Sequence, residues 1–267
     1  MRFKAITILL LFSGAFQIQA QTKDRSGFTY GGGFGVLFAS NKNAMYYNGA
    51  DDKPDAVRNI TGSPYYKDQI YNILKDDIKS ISYPSKMTYS PAVTLHGYLA
   101  YIIKNKNSVY CQITYAKCTT NGVFTLELAT PDPNDSYGST RYYECGIKAS
   151  EQRVDIELGY HLLLKNEGKY KPFLEVFGNI NTVQVKSHQM QIGTLTASLY
   201  QSSYTSTYSN QSQAKAGYGF GATLGVEAPL FGRMFYNIGI QGSLKTIHLS
   251  DNPTLTPHEI IFARVIF

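Results

Sequence analysis

Three residues near the carboxyl end have the side chains of a serine hydrolase. His248 and Ser250 are two positions apart, and Glu259 follows further along the chain. A serine hydroxyl acts as a nucleophile when a histidine takes its proton and a carboxylate orients that histidine. A histidine and a serine this close are also frequent by chance, so the elements that carry them must decide between the two interpretations.

Charged residues of both signs recur at alternate positions of otherwise apolar segments. They are Lys104, Asp155, Glu157, Glu175, Glu227, Lys245 and Arg264. An unpaired buried charge is costly, so charges that share one enclosed face should form ion pairs. We predict a salt-bridged cluster of Glu175, Glu227 and Arg264, with a proton or ion path as the alternative. His96 and His161 fall on the same face and are expected to be hydrogen-bonded rather than to bind a metal.

The three cysteines allow one disulfide and leave one thiol over. If the two segments that hold them pair so that Val109 faces Val154, then Cys118 faces Cys145. An oxidising compartment would favour a bond between these two, whereas a β-bulge in either segment would break the register. Cys111 falls on the opposite face and is expected to be a free thiol.

Alternation of apolar and polar side chains runs through most of the chain and predicts β-strands. Every second residue from Val154 to Leu164 is apolar, and the residues between them include charged ones. Eight segments have this pattern: 27–40, 87–104, 108–128, 140–165, 170–186, 213–229, 234–249 and 258–267. Several are much longer than the roughly five or six residues usual in soluble sheets.

The connections between these segments alternate in length. Residues 105–107, 166–169 and 230–233 form short turns, and the other connections are longer: 41–86, 129–139, 187–212 and 250–257. Both chain ends lie on the side of the short turns. This arrangement predicts an all-β fold, a transmembrane antiparallel up-and-down β-barrel of eight strands with short periplasmic turns and long extracellular loops. A soluble β domain is the alternative.

One long connection is expected to contain a helix. Apolar residues recur at helical spacing within 41–86 and predict a short helix at about 64–78. This helix could cap the barrel mouth or bind a partner.

The amino end predicts export. Arg2 and Lys4 precede an apolar run, and the small Ala20 is followed by polar residues, which is typical of a signal peptide over 1–20. Residues 21–267 are then expected to form one domain. The formal net charge is +6 without a basic cluster, so nucleic acid is not an expected partner. No cofactor or metal is expected either.

The sequence resembles the small eight-stranded outer-membrane barrels of Gram-negative bacteria, the OmpA/OmpX-like class. The resemblance rests on the strand layout, on GFTYGGGFGVLF at 27–38, on GYGFGATLGVE at 217–227 and on EIIFARVIF at 259–267. The last segment is similar to the C-terminal signal of outer-membrane barrels, and it ends in Phe267. The resemblance implies the cell outer membrane as location. It implies lipid, lipopolysaccharide and the barrel assembly machinery as partners, with an unknown extracellular ligand possible.

The resemblance also bears on function. It favours a non-enzymatic barrel with a structural or surface-interaction role through its loops. His248, Ser250 and Glu259, however, are similar to the catalytic arrangement of outer-membrane lipid A deacylases of the same barrel class, which implies a lipid-modifying hydrolase with these side chains facing the lipid. The DNPTL sequence after Ser250 departs from that family's pattern. A narrow channel is a second alternative, although eight strands leave room only for side chains or one small ligand.

Overall fold

The computed structural model describes residues 27–50, 56–103, 107–132, 138–165, 167–199, 215–231, 234–249 and 253–267. The predicted signal peptide, residues 1–20, lies outside these ranges. Two residues singled out by the sequence, Lys104 and Ser250, also lie outside them.

The described chain is mostly β-strand. The strands are β1 (Gly27–Phe38), β2 (Ile78–Ser82), β3 (Thr88–Tyr89), β4 (Ala92–Ile103), β5 (Asn107–Leu128), β6 (Tyr142–Leu163), β7 (Lys171–Ile192), β8 (Leu195–Ser198), β9 (Lys215–Pro229), β10 (Phe235–Thr246) and β11 (Leu255–Ile266). The helices are α1 (Asn41–Ala44), α2 (Val57–Thr61) and α3 (Pro64–Leu74), with a 3₁₀ turn at Met45–Tyr47. No helix among the described residues has the length and apolar character needed to cross a membrane.

Eight of the strands form a closed antiparallel ring. Their order around the ring is β1, β4, β5, β6, β7, β9, β10 and β11, and β11 pairs again with β1. This confirms the predicted eight-stranded up-and-down barrel. The predicted segment 87–104 is divided into β3 and β4 around Pro91, because proline has no N–H to donate to a ladder. Closure leaves the ring without a free edge.

The stagger of the barrel can be read by following hydrogen-bonded partners once around the ring. The path runs from Glu227 through Asn237, Arg264, Gly33, His96, Thr114, Asp155 and Asn181 to Gly217. It returns to β9 ten residues from its start, because 227 minus 217 is ten. A shear of this size in eight strands gives a strand tilt of about 40° and an interior that side chains can fill.

The outer surface of the ring carries a continuous apolar band. On β6, for example, Val154, Ile156, Leu158 and Tyr160 are exposed, while the residues between them point inward. Aromatic residues occur at both edges of the band, among them Phe28, Phe38, Tyr101, Tyr115, Tyr218 and Phe267. We call the two ends of the barrel the turn end, where the short connections lie, and the loop end.

The closing strand β11 shows the same division. Ile261 and Phe267 are exposed on the outside, whereas Phe262 and Arg264 are buried inside. The backbone N–H of Phe267 donates to the Tyr30 carbonyl at 2.8 Å, and the two rings stack with centroids 5.6 Å apart. Phe267 is therefore fixed against β1.

Glycines on the inner face of β9 make room for large inner side chains of β7. Gly225 lies opposite Phe173 and Gly221 lies opposite Phe177 in the register. A Cβ atom added at either glycine would lie 2.4 or 2.5 Å from Cζ of the opposing ring. Gly221 and Gly225 therefore leave space inside the barrel for the rings of Phe177 and Phe173.

Strands β5, β6 and β7 are each 22 residues long and extend beyond the apolar band at the loop end. Their inner faces become apolar there, and the helices pack against them. The resulting loop-end core includes Val57, Ile60, Ile70, Leu74, Phe124, Leu126, Ile147, Met190 and Ile192. Helix α3, which the sequence predicted at about 64–78, therefore packs over the loop end of the barrel. This position fits the first of its two predicted roles, capping of the barrel mouth.

Asp76 ties the end of α3 to the β5–β6 hairpin. Its carboxylate accepts hydrogen bonds from the Thr130 hydroxyl at 2.9 Å and the Thr130 backbone N–H at 3.1 Å, and Arg141 lies 3.3 Å away. Burial raises the pKa of this carboxyl, but these hydrogen bonds and the Arg141 charge outweigh burial, so the pKa lies below its ordinary value. The carboxylate therefore stays ionised and holds the helix to the hairpin at neutral pH.

Candidate functional site

Among the described residues, charged side chains form three groups in the lumen. The first lies toward the turn end and centres on an ion pair between Arg264 and Glu175, each about 2% exposed. Glu175 also contacts His161 Nδ1 at 2.9 Å, and the Arg264 guanidinium lies 4.1 Å from the Tyr98 ring centroid. Strand pairing places His161 of β6 opposite Glu175 of β7, and the Arg264 side chain reaches Glu175 from β11.

Glu227 lies next to this group rather than at its centre. It is buried, and its register partners are Asn237 and Lys171. Asn237 is in turn the partner of Arg264 on β11. Of the three residues predicted to form one cluster, the structure brings Arg264 and Glu175 into contact and places Glu227 two strands from Arg264.

The second group lies in the middle of the lumen. Lys245 Nζ is 3.1 Å from Asp155 Oδ2 and 3.8 Å from Glu157 Oε1. Glu157 accepts further hydrogen bonds from Gln112 at 3.2 Å and from Gln241 at 2.7 Å. The Gln112 carbonyl oxygen also accepts from Arg264 Nη1 at 3.1 Å, so one glutamine joins the first and second groups.

The third group lies in the lumen toward the loop end. Arg153 donates from Nε to Glu151 Oε1 at 2.6 Å, and both side chains are buried. The Tyr47 hydroxyl donates to the other oxygen of Glu151. Arg153 Nη1 lies 3.5 Å from His258 Nδ1. Tyr47, which belongs to the long connection after β1, is thereby hydrogen-bonded to the barrel interior.

The sequence interpretation missed this third group. Glu151 and Arg153 continue the alternation of Asp155 and Glu157, so the period of two alone would have found them. Tyr47 had no comparable signal, because its position depends on how the connection after β1 folds back over the mouth.

The histidines of the lumen are hydrogen-bonded. His96 lies between the hydroxyls of Thr94 and Thr114, at 2.9 and 3.0 Å. His161 contacts Glu175, as described above. Among the described residues, no three histidine, cysteine or carboxylate side chains come together as a metal site would require.

The proposed disulfide register is wrong. β5 and β6 pair with Val109 opposite Tyr160, six residues from the predicted partner Val154. Cys118 is opposite Glu151 and Cys145 is opposite Phe124, so the two cysteines are separated by about 20 Å along the strands. Both are buried inside and both are free. The tip of the β5–β6 hairpin lies further along the chain than the predicted register requires. Alternation of side chains alone does not fix the position of this tip.

The hydrolase arrangement is not assembled in the described structure. The last pair between β10 and β11 is Thr246 with Leu255, and His248 follows beyond it. Glu259 lies on the other side of that pair, opposite Gly242, about 13 Å along the strand from Leu255. Glu259 faces outward as predicted, but the register separates it from His248, so it is not placed to orient that imidazole.

The lumen and the band define a class of structure. The chain forms a closed eight-stranded antiparallel barrel with an apolar outside and with ion-paired and hydrogen-bonded side chains inside.

Comparisons with known proteins give the following. No protein-family model matches the chain, and no curated protein sequence matches it. Among solved structures, it is similar to Neisserial surface protein A, with 8% identity over 91% of this chain and 97% of that one and a TM-score of 0.45. It is also similar to the outer membrane protein OprG from Pseudomonas aeruginosa, with 10% identity, the same coverage of 91% and 97%, and a TM-score of 0.39.

Proposed function

We propose that the chain is an integral outer-membrane barrel without enzymatic activity, sealed along its lumen and active at the cell surface through its loop end. The single observation that carries the proposal is the combination of a closed ring, an apolar outer band and an ion-paired interior. Lipid offers no partners to backbone N–H and C=O groups, and a closed ring pairs them within the sheet. Aromatic residues at both edges of an apolar band are typical of this environment.

The lumen supports a filled barrel. The three charge groups follow one another from the turn end to the loop end, and Gln112 and the aromatic rings of Tyr98, Phe173 and Phe262 occupy the space around Arg264. Tyr47 adds a lid at the loop end. A passing ion would have to displace side chains that neutralise one another, which is costly at low dielectric.

The loop end is the part of the molecule suited to contact. It has its own apolar core and presents Tyr65 and Tyr71 of α3 to solvent, 74% and 49% exposed. A structural role at the cell surface and binding of an external molecule both fit this surface. Phe267 and the exposed face of β11 would serve the assembly machinery during insertion.

Planar-bilayer recording tests the sealed lumen. We expect the purified mature protein to insert without steady conductance, because the charge groups block the pore. Flotation of the same preparation with liposomes controls for insertion. Steady ion conductance by the floated wild-type protein would contradict the proposal.

A lipid A profile tests the absence of hydrolase activity. Cells carrying Ser250→Ala should have the same lipid A acylation as cells with the wild-type chain. An acyl chain that is lost only in the presence of Ser250 would show that the protein is an enzyme.

A further inference from the structure

Three lysines lie on the outside of the tall wall formed by β5, β6 and β7. Lys117, Lys148 and Lys186 are all exposed. Lys117 follows Tyr115 on the outward face of β5, at the point where the apolar band ends. Lys186 and Lys148 lie further toward the loop end, on β7 and β6. The wall therefore changes from apolar to basic just beyond the band.

The register brings the three lysines together. Lys117 pairs with Gln152, which pairs with Gln184, two positions before Lys186. With strands about 4.8 Å apart and about 3.4 Å per residue, the Cα atoms of these lysines are about 10 to 14 Å apart. Long, flexible lysine side chains can converge over such a distance on a ligand above the strands.

Among the described residues, the surface between the lysines is polar and carries no opposing charge. Gln152, Gln184, Ser150 and Ser187 lie there, and the two serine hydroxyls are 2.7 Å apart. On the outward face of the described parts of β5, β6 and β7, the first carboxylates beyond the band belong to Glu127 and Glu144, near the hairpin tip. We call this surface, formed by Lys117, Lys148, Lys186 and the four polar residues, the lysine patch.

The position of the lysine patch, directly above the apolar band, favours a negatively charged lipid as its ligand. Directly below it, Ile113, Val154 and Ile180 are more than a third exposed in the apolar band, where acyl chains would lie. A ligand that binds here therefore needs acyl chains below and several negative charges at the level of the lysines. Clusters of basic residues beside a membrane attract anionic lipid headgroups in this way. A lipid with two phosphates fits three spread lysines better than a lipid with one.

We infer that the lysine patch binds the phosphate groups of a phosphorylated glycolipid of the outer leaflet, whose acyl chains cover the band below. The inference rests on the proposed outer-membrane location, since the loop end then faces the outer leaflet. Ammonium groups contact the phosphates, and Ser150, Ser187 and the glutamine amides donate hydrogen bonds to the remaining oxygens.

Native mass spectrometry of the detergent-folded mature protein tests the inference, with bisphosphorylated lipid A as the probe. The patch variant carries Lys117→Gln, Lys148→Gln and Lys186→Gln. The control variant carries Lys67→Gln, Lys165→Gln and Lys169→Gln, which removes the same charge from exposed sites elsewhere. We expect the patch variant to bind about tenfold more weakly or worse, and the control variant to bind like the wild type.

Two further lipids separate the sources of binding. Lipid A without its phosphates and phosphatidylglycerol should each bind the wild type more weakly than the bisphosphorylated form. Equal binding of lipid A by the patch variant and the wild type would overturn the inference, as would equal binding of the dephosphorylated lipid. Phosphatidylglycerol that binds as tightly as lipid A would overturn the assignment to a glycolipid.

Gel migration and cell fractionation keep these outcomes distinct from a failure to fold or a wrong location. The patch variant should still migrate as a heat-modifiable, folded band, so weak binding reports the patch alone. Absence of the wild-type protein from the outer membrane would instead overturn the proposed function, whatever the lipid-binding result.

Discussion

Replacing Arg264 with methionine is expected to lower the free energy of unfolding by about 3–5 kcal/mol, because it leaves a charge without its partner in a closed interior. Glu175 is about 2% exposed and, of its ionic contacts in the described structure, would keep the one with His161. Gln112 would also lose the Arg264 donor that joins the first two groups. Denaturant unfolding of the protein in lipid vesicles, followed by tyrosine fluorescence or gel migration, measures the loss.

A second substitution tests whether the unpaired charge of Glu175 causes the loss of stability. The double variant Arg264→Met with Glu175→Leu removes both charges, and we expect it to be more stable than Arg264→Met alone. Lys165→Met, on an exposed residue at the turn end, controls for the loss of one positive charge. If Arg264→Met unfolds like the wild type, loss of the ion pair does not destabilise the barrel and this prediction is wrong.

Gly33→Val is expected to prevent the barrel from closing. Gly33 lies on β1 opposite Arg264 of β11, at the seam where the last strand meets the first. A Cβ atom there would lie 2.3 Å from the Ala263 carbonyl oxygen and 2.7 Å from the Arg264 Cα. Backbone atoms cannot move aside without breaking the ladder, so we expect little or no folded, heat-modifiable protein on a gel.

Gly97→Val is the matched control. Gly97 belongs to β4, the other neighbour of β1, and a Cβ atom at this position would have no atom of the described residues within 4 Å. Its side chain would point outward into the apolar band. This variant should fold like the wild type, and equal folding of Gly33→Val and Gly97→Val would show that the seam tolerates a side chain.

The strands and their inward and outward faces could be predicted from the sequence because the signal is local. A period of two requires only neighbouring residues, and each of the eight strands carried it. The same rule predicts Phe262 and Arg264 inside and Ile261 and Phe267 outside, as the structure has them.

The register could not be predicted, because it depends on where each long hairpin turns. Alternation is unchanged by a shift of an even number of residues, and the β5–β6 pair differs from the predicted one by six. That shift alone separates Cys118 from Cys145. Pairing between β10 and β11 similarly separates Glu259 from His248.

The position of Tyr47 at the loop end could not be predicted from the sequence either. Alternation could have extended the charge pattern to Glu151 and Arg153, but the hydrogen bond from Tyr47 to Glu151 joins residues far apart in the chain through an irregular connection. Helical spacing did find α3, since its apolar residues lie on one face.

Labelling of intact cells tests the central claim most directly. A single cysteine is introduced at Val123, 56% exposed near the loop end, or at Glu167 in a turn at the opposite end, in a chain whose three native cysteines are replaced by alanine. A membrane-impermeant maleimide should label Val123→Cys on intact cells and Glu167→Cys only after the outer membrane is permeabilised. Equal labelling of both positions on intact cells, or recovery of the protein as a soluble periplasmic product, would contradict an outer-membrane barrel with its loop end outside.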